Sequence, residues 1–202
     1  MPQPETLLLK QPALSADSLV FLYAGDLWIA GRDGSHPRRL TAQKGRKTTP
    51  MFSPDGKWIA FSGDYDGNMS LYAIPVEGGS PTRLTYHPYQ DLMRGWTPDG
   101  KSVLFTSTRE SIHARVSRLF TVPLAGGLPA ALPMHMAYRG AFSPDGKRLA
   151  YTPFFEPFWS WKRYRGGWAS HIWLYNFRTG AAKSVSTPAE PVNFFVRLRH
   201  RF

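Results

Sequence analysis

The side chains that could do chemistry in this 202-residue chain are six histidines, scattered serines and carboxylates, and one aromatic and basic segment. The chain has no cysteine, which excludes disulfides, thiolate zinc sites and a cysteine nucleophile. The histidines lack His-x-x-x-His or similar spacing, so no metal site is predicted. No Gly-x-Ser-x-Gly nucleophile elbow occurs, and no catalytic residue is predicted. A Ser-His-Asp triad is recognised by geometry, so composition leaves that alternative open.

Residues 64–68 read Asp-Tyr-Asp-Gly-Asn and alternate oxygen-bearing side chains as a calcium loop does. An EF-hand loop that starts at Asp64 would need glycine in place of Met69 and glutamate in place of Pro75. The segment is therefore predicted to be a hairpin turn between two strands.

Residues 152–170 form the most unusual stretch, with seven aromatic side chains beside three basic ones. The stretch is too long for a hairpin turn, and long loops on rigid scaffolds often carry function. Aromatic rings supply contact area and arginine recognises carboxylates. The candidate substrate contacts are therefore Trp161, Arg163, Tyr164 and Arg165. The alternative is that the stretch packs against a neighbouring module.

A Ser/Thr-Pro-Asp-Gly sequence recurs at residues 53–56, 97–100 and 143–146, with a weaker copy at 15–18. Proline presets φ at the second turn position, aspartate bonds back to the nearby backbone, and glycine adopts a positive φ. Such a turn joins two antiparallel strands, and the intervals of 38, 44 and 46 residues indicate one repeated unit.

Each copy continues with a short apolar strand, a strand that carries a Leu/Ile-aromatic pair, a glycine turn and a polar outer strand. The apolar strands are predicted at 18–23, 57–62, 102–106 and 148–152, the second strands at 26–30, 70–74, 118–122 and 171–175, and the outer strands at 38–41, 81–85, 129–132 and 182–185.

The fold predicted from these repeats is all-β: a β-propeller of about four antiparallel four-stranded blades that forms part of an incomplete six-bladed ring. The blades are placed at about 7–43, 44–86, 87–135 and 136–185. A solenoid is the alternative architecture. Residues 186–202 lack the repeat turn and end in alternating arginine and apolar residues. We expect them to reflect a truncation or frameshift in a longer gene, and the alternative is a functional basic tail.

The net charge of +11 is compatible with an acidic partner or a nucleic acid. The basic residues are scattered and no helix-turn-helix, zinc-finger or RNA-binding motif occurs, so we expect a solvated basic surface and no nucleic-acid partner. No stretch reaches the 18 or so apolar residues of a membrane span, so no membrane partner is predicted. No signal peptide is apparent at the start of the chain. The predicted location is the cytoplasm.

The opening residues 7–28 and the segment Trp-Lys-Arg-Tyr-Arg-Gly-Gly at 161–167 resemble the N-terminal six-bladed propeller of tricorn proteases. This resemblance implies a portion of a large cytoplasmic, homo-oligomeric serine protease that cuts oligopeptides. The family's catalytic serine and histidine lie far downstream, so the resemblance implies a non-catalytic chain without a cofactor that is inactive alone. Its implied partners are oligopeptide substrates and the remaining propeller and catalytic modules.

In that family an arginine pair before the third blade's Pro-Asp-Gly turn holds the carboxylate at the end of the substrate. Residues 86–94 here contain His87 and Arg94 in place of the pair, and Arg94 is therefore a further candidate substrate contact. The predicted function is to gate or guide oligopeptides. The alternatives are a TolB-like propeller that acts as a protein-interaction module and a basic propeller that binds nucleic acid.

Overall fold

Four antiparallel sheets of four strands each make up the part of the chain that the structure describes. The computed structural model describes residues 8–111, 113, 116–154 and 171–185, and no helix occurs among them. In chain order the strands are β1 (Lys10–Leu14), β2 (Ser18–Tyr23), β3 (Asp26–Gly31), β4 (Arg38–Arg39), β5 (Arg46–Phe52), β6 (Trp58–Asp64), β7 (Met69–Pro75), β8 (Thr82–Arg83), β9 (Asp91–Trp96), β10 (Ser102–Ser107), β11 (Arg118–Pro123), β12 (Ala130–Ala131), β13 (Arg139–Phe142), β14 (Arg148–Thr152), β15 (Trp173–Asn176) and β16 (Ala182–Ser184).

Within every sheet the strands lie in the order in which they occur in the chain, which defines blades 1 to 4. The first strands of consecutive blades, β1, β5, β9 and β13, contact one another and form the inner edge of the stack. The short strands β4, β8, β12 and β16 form the outer edge. This radial arrangement of four-stranded antiparallel sheets is a β-propeller fragment, which confirms the predicted fold class.

The Ser/Thr-Pro-Asp-Gly turns join the first two strands of blades 2, 3 and 4. In the turn of blade 2 the Ser53 hydroxyl donates to Asp55, and Ser53 exchanges backbone and side-chain hydrogen bonds with Trp58. The same bonds recur in the turns at residues 97–102 and 143–148. Each turn is therefore closed by its own side chains and needs no partner from another blade.

The hydrophobic core lies between the blades, in one cluster for each consecutive pair of sheets. Successive residues of a strand face opposite sides of the sheet. On β6, accordingly, Ile59 and Phe61 belong to the cluster shared with blade 1, while Ala60 belongs to the cluster shared with blade 3. All three of these side chains are fully buried. The central strands of blades 2 and 3 thus contribute to two cores at once.

The outer strands are shorter than predicted. Residues 38–41 were expected in the outer strand of blade 1, but the strand comprises Arg38–Arg39. Leu40 is buried and donates its backbone N–H to Leu27 O at 2.8 Å, while the hydroxyl of Thr41 accepts the N–H of Leu27 at 3.0 Å. The chain leaves the ladder here because these two residues turn inward to close the core of the blade.

The repeated turns predict a specific cost for removing one glycine. Gly100 has a φ of +68°, and a Cβ added there would lie 3.5 Å from Pro54, which is an ordinary contact. We expect Gly100→Ala to lower the free energy of unfolding by about 1–2 kcal/mol, because an L-residue is strained at this φ. Urea denaturation followed by tryptophan fluorescence measures the change.

Gly95→Ala is the matched control for this prediction. Gly95 has no positive φ, and the nearest atom to an added Cβ is Leu104 Cδ2 at 3.9 Å. The control should change the free energy of unfolding by less than about 0.5 kcal/mol or raise it slightly. Equal losses in both variants would contradict the role given to φ at the turn.

Candidate functional site

The two ends of the sheets differ in their connections. The Ser/Thr-Pro-Asp-Gly turns and the glycine turns lie at one end, which we call the turn face. The links from the second to the third strand of each blade, and from each blade to the next, lie at the other end, which we call the loop face. Long connections on a rigid scaffold are the usual carriers of binding residues, so the loop face is the candidate site.

The inner strands present mainly basic side chains at the loop face. Their first residues are Lys10, Arg46, Asp91 and Arg139, and all except Asp91 are exposed. Asp91 is fully buried, and its Oδ2 accepts a hydrogen bond from Arg109 at 2.6 Å. The carboxylate is thus neutralised within its own blade, while the three cations remain at the surface. This end of the inner edge is therefore suited to an anionic ligand.

A buried ion cluster joins blades 1 and 2 at the loop face. Lys47, whose side chain is 1% exposed, donates to Asp26 Oδ1 at 2.8 Å. The hydroxyl of Thr41 donates to the same oxygen at 3.0 Å, and Arg39 binds the second oxygen. Burial opposes ionisation of Asp26, but the hydrogen bonds from Lys47, Thr41 and Arg39 outweigh it and lower its pKa. The cluster holds the two blades together through charges.

Arg94 lies at the junction of blades 3 and 4. It is the extra residue of a β-bulge in β9, between Met93 and Gly95 in the register with β10. Its Nε donates to Tyr138 O at 2.9 Å, and its guanidinium lies 4.3 Å from the centre of the Tyr138 ring. Burial lowers the pKa of Arg94, and its buried Nη2 has no hydrogen-bond partner among the described residues. Arg94 therefore links the two blades and retains one unused donor.

The four other candidate contacts, Trp161, Arg163, Tyr164 and Arg165, lie outside the described residues, as do residues 186–202. The segment at 64–68 is the hairpin connection between β6 and β7, as predicted. In it, Asp66 accepts a hydrogen bond from Arg83 at 2.9 Å. Within the described ranges no group of three or more His, Cys, Asp or Glu side chains could hold a metal ion. The same ranges contain no helix that is long and apolar enough to cross a membrane.

Two exposed tyrosines between blades 2 and 3 were missed by the sequence analysis. Tyr86 is 75% exposed and Tyr89 is 56% exposed in the connection between β8 and β9. The side-chain amide of Asn68 donates to His87 O at 2.7 Å and also contacts Tyr89 O at 3.4 Å. The sequence signal was the Tyr-His-Pro-Tyr run at residues 86–89, of which only His87 had been singled out.

A groove of about 400 Å³ lies between blades 1 and 2 on the loop face. Its lining residues are Gln43, Lys44, Tyr65, Asp66, Tyr72, Pro81 and Arg83. The hydroxyl of Tyr65 is buried and has no hydrogen-bond partner in the described part of the chain, and burial raises the pKa of Tyr65. This hydroxyl therefore stays protonated at neutral pH.

The sheet order and the stacking of the blades define a β-propeller fragment. The family described as "Tricorn protease N-terminal beta propeller domain" matches residues 6–194. The chain therefore belongs to the family of tricorn protease N-terminal β-propeller domains.

Individual relatives agree with this assignment. Tricorn protease homolog 1 of Streptomyces coelicolor is 35% identical over 167 residues, which are 82% of this chain and 16% of that protein. The crystal structure of the tricorn protease superposes with a TM-score of 0.74 at 26% identity, over 89% of this chain and 18% of the other. A TolB structure from Agrobacterium tumefaciens shares the fold, with a TM-score of 0.69, 21% identity and coverage of 89% and 62%. The chain thus spans a small part of its protease relatives.

The ion cluster between blades 1 and 2 predicts acid-sensitive stability. The folded-state pKa of Asp26 lies below its ordinary value of 3.8. Its charge therefore stabilises the fold above that value, and the contribution is lost as the pH falls through the folded-state pKa. We expect Asp26→Asn to lower the free energy of unfolding at pH 7 by about 3 kcal/mol, because Lys47 is left buried without its counter-charge.

The measurement is urea denaturation of both proteins between pH 7 and pH 3. The loss of stability on acidification should be smaller in Asp26→Asn than in the unsubstituted chain. Asp66→Asn is the control, because the side chain of Asp66 is 66% exposed in its ion pair with Arg83 and should contribute less than about 1 kcal/mol. Equal effects of the two substitutions on the free energy of unfolding would contradict the stabilising role of the buried ion cluster around Asp26.

Proposed function

We propose that this chain guides oligopeptides along the inner edge of its blades toward an active site that it does not contain. The observation that carries the proposal is the set of exposed cations at the loop-face ends of the inner strands, beside the buried carboxylate of Asp91 that Arg109 already neutralises. A peptide carries a carboxylate at one end, and cations at the entrance to a channel attract and orient anionic groups. Membership of the tricorn propeller family supports the same role.

Arg94 is the residue that we propose to contact the substrate. It lies in an inner strand at a bulge, and bulges commonly re-aim a side chain beside a functional site. One guanidinium nitrogen has no protein partner among the described residues, and arginine binds carboxylates through two parallel hydrogen bonds. The ring of Tyr138 holds the guanidinium in place from one side.

The remaining modules of a protease are the proposed partners. The propeller would deliver peptides to a catalytic region elsewhere in a longer, homo-oligomeric protein of the cytoplasm. The four blades would then complete their ring with further blades of that longer protein. In this arrangement Trp161, Arg163, Tyr164 and Arg165 would contribute contacts from the aromatic and basic segment.

The purified chain is expected to hydrolyse no peptide. No catalytic constellation was predicted from its sequence, and the proposed role is passive. Incubation with a library of fluorogenic peptides, with and without a serine-protease inhibitor, measures the activity. A sustained peptidase activity that co-purifies with the chain and is stopped by the inhibitor would contradict the proposal that the chain is non-catalytic.

Arg94 is expected to recognise the carboxylate at the end of a peptide. A labelled peptide with a free carboxylate should bind about tenfold more tightly than its amide in fluorescence anisotropy, because a charge-assisted hydrogen bond contributes about 1.5–3 kcal/mol. In Arg94→Gln the peptide with the free carboxylate and its amide should bind with nearly equal affinity. Arg148→Gln, an exposed arginine of β14 near the turn face, is the control and should preserve the ratio. A ratio that is unchanged in Arg94→Gln would remove Arg94 from the site.

A further inference from the structure

The tyrosine loop, residues 86–90, displays aromatic rings on a backbone that its surroundings hold in place. His87 Nδ1 accepts the N–H of Tyr89 at 3.2 Å, and Asn68 from the hairpin of blade 2 donates to the carbonyl of His87. The hydroxyl of Tyr86 donates to Arg83 O at 3.2 Å. A loop that is ordered before binding loses little conformational freedom when a ligand docks. The exposed rings of Tyr86 and Tyr89 are thus presented as a preorganised contact surface.

The tyrosine loop is continuous with the groove between blades 1 and 2. Arg83 lines the groove, and its guanidinium lies 4.9 Å from the centre of the Tyr86 ring. From Arg83 the surface continues to Tyr65, whose buried hydroxyl lacks a protein partner in the described ranges, and to the exposed Lys44. Together, the tyrosine loop and the groove form one continuous strip of the loop face, with aromatic rings at one end and hydrogen-bond donors at the other.

The charges of this strip favour an anionic ligand. Asp66 is the carboxylate in the groove lining, and it is already bound to Arg83 at 2.9 Å. Lys44 adds a further positive charge, and Gln43 adds a side-chain amide. A carboxylate that entered the groove would meet the exposed Lys44 ammonium and the exposed Gln43 side-chain amide, and both donate hydrogen bonds. Charge-assisted hydrogen bonds of this kind are the stronger ones in proteins.

We propose that the tyrosine loop and the adjoining groove bind an acidic, apolar segment of an oligopeptide. Carboxylate side chains of the segment lie in the groove near Lys44 and Gln43, and apolar side chains pack on Tyr86 and Tyr89. The proposal rests on the proposed function, and it adds the class of peptide that the chain prefers. A peptide fits better than a membrane, because the groove is lined by the polar and charged side chains of Gln43, Lys44, Asp66 and Arg83 rather than by a broad apolar surface.

The test compares two labelled peptides of equal length and apolar content, one with glutamates and one with glutamines at the same positions. Fluorescence anisotropy is measured on the full 202-residue chain at constant ionic strength. The glutamate peptide is expected to bind about tenfold more tightly. The double variant Tyr86→Ala with Tyr89→Ala should weaken it about tenfold, and Lys44→Gln should reduce the preference for glutamate.

Two matched controls lie on the turn face. Leu128→Ala removes another large apolar side chain, 91% exposed, and should leave both affinities unchanged. Lys101→Gln removes an exposed charge next to a Pro-Asp-Gly turn and should preserve the preference for glutamate. Because Tyr86, Tyr89 and Lys44 are exposed, their variants should have the thermal unfolding midpoint of the unsubstituted chain within about two degrees.

The outcomes that overturn the proposal are distinct from those that overturn the proposed function. Equal binding of the two peptides, or binding that survives the double tyrosine variant, overturns this site and leaves peptide guidance intact. Failure of every peptide to bind overturns both. An oligothymidylate that binds more tightly than the glutamate peptide, and loses affinity in the same variants, would replace the peptide with a single-stranded nucleic acid.

Discussion

The packing of one sheet on the next is the interaction on which the rest of the structure depends, and among the described residues it buries both faces of blades 2 and 3. Burial of an aliphatic or aromatic side chain contributes about 1.5–3 kcal/mol, and each junction between blades contains several fully buried ones. A single sheet of this size has no core of its own. Phe61, Phe105 and Phe120 are therefore buried only because consecutive blades stack face to face. Tight turns and short links follow, since each blade must be followed at once by the next.

Because the packing between blades occupies the sheet faces at the three described junctions, binding there is left to the ends of the strands and to the connections between them. On the turn face, the aspartates of the repeated turns accept hydrogen bonds from their own Ser or Thr hydroxyls, which lowers the pKa of Asp55, Asp99 and Asp145. Those carboxylates serve local structure. On the loop face, Asp26 and Asp91 are used between and within blades, and the neighbouring cations define the character of the surface.

Buried charges and hydrogen bonds also determine the register in which consecutive blades pack. The core clusters alone could pack in several registers, since apolar contact has no direction. Lys47 must reach Asp26, and Trp96 must donate its ring N–H to Met51 O at 3.1 Å across the junction of blades 2 and 3. The first contact fixes the inner strand β5 against β3 of blade 1, and the second fixes the inner strand β9 against β5. The same inner strands carry Arg94, so the position of the proposed substrate contact follows from the register of the blades.

The features that the sequence determined by itself are those whose interactions lie close together in the chain. The turn at Ser53 is closed by bonds that span two to five residues, and its pattern predicted the turn, the flanking strands and the class of fold. The inward turn of Leu40 and Thr41 onto Leu27 was missed, although the Arg-Leu-Thr sequence recurs at residues 83–85. Tertiary structure alone decided which residues pair with Asp26 and Arg94, where the groove beside Tyr65 lies, and that Tyr86 is exposed. These features depend on residues that are far apart in sequence, and only the stacking of the blades brings those residues within reach of one another.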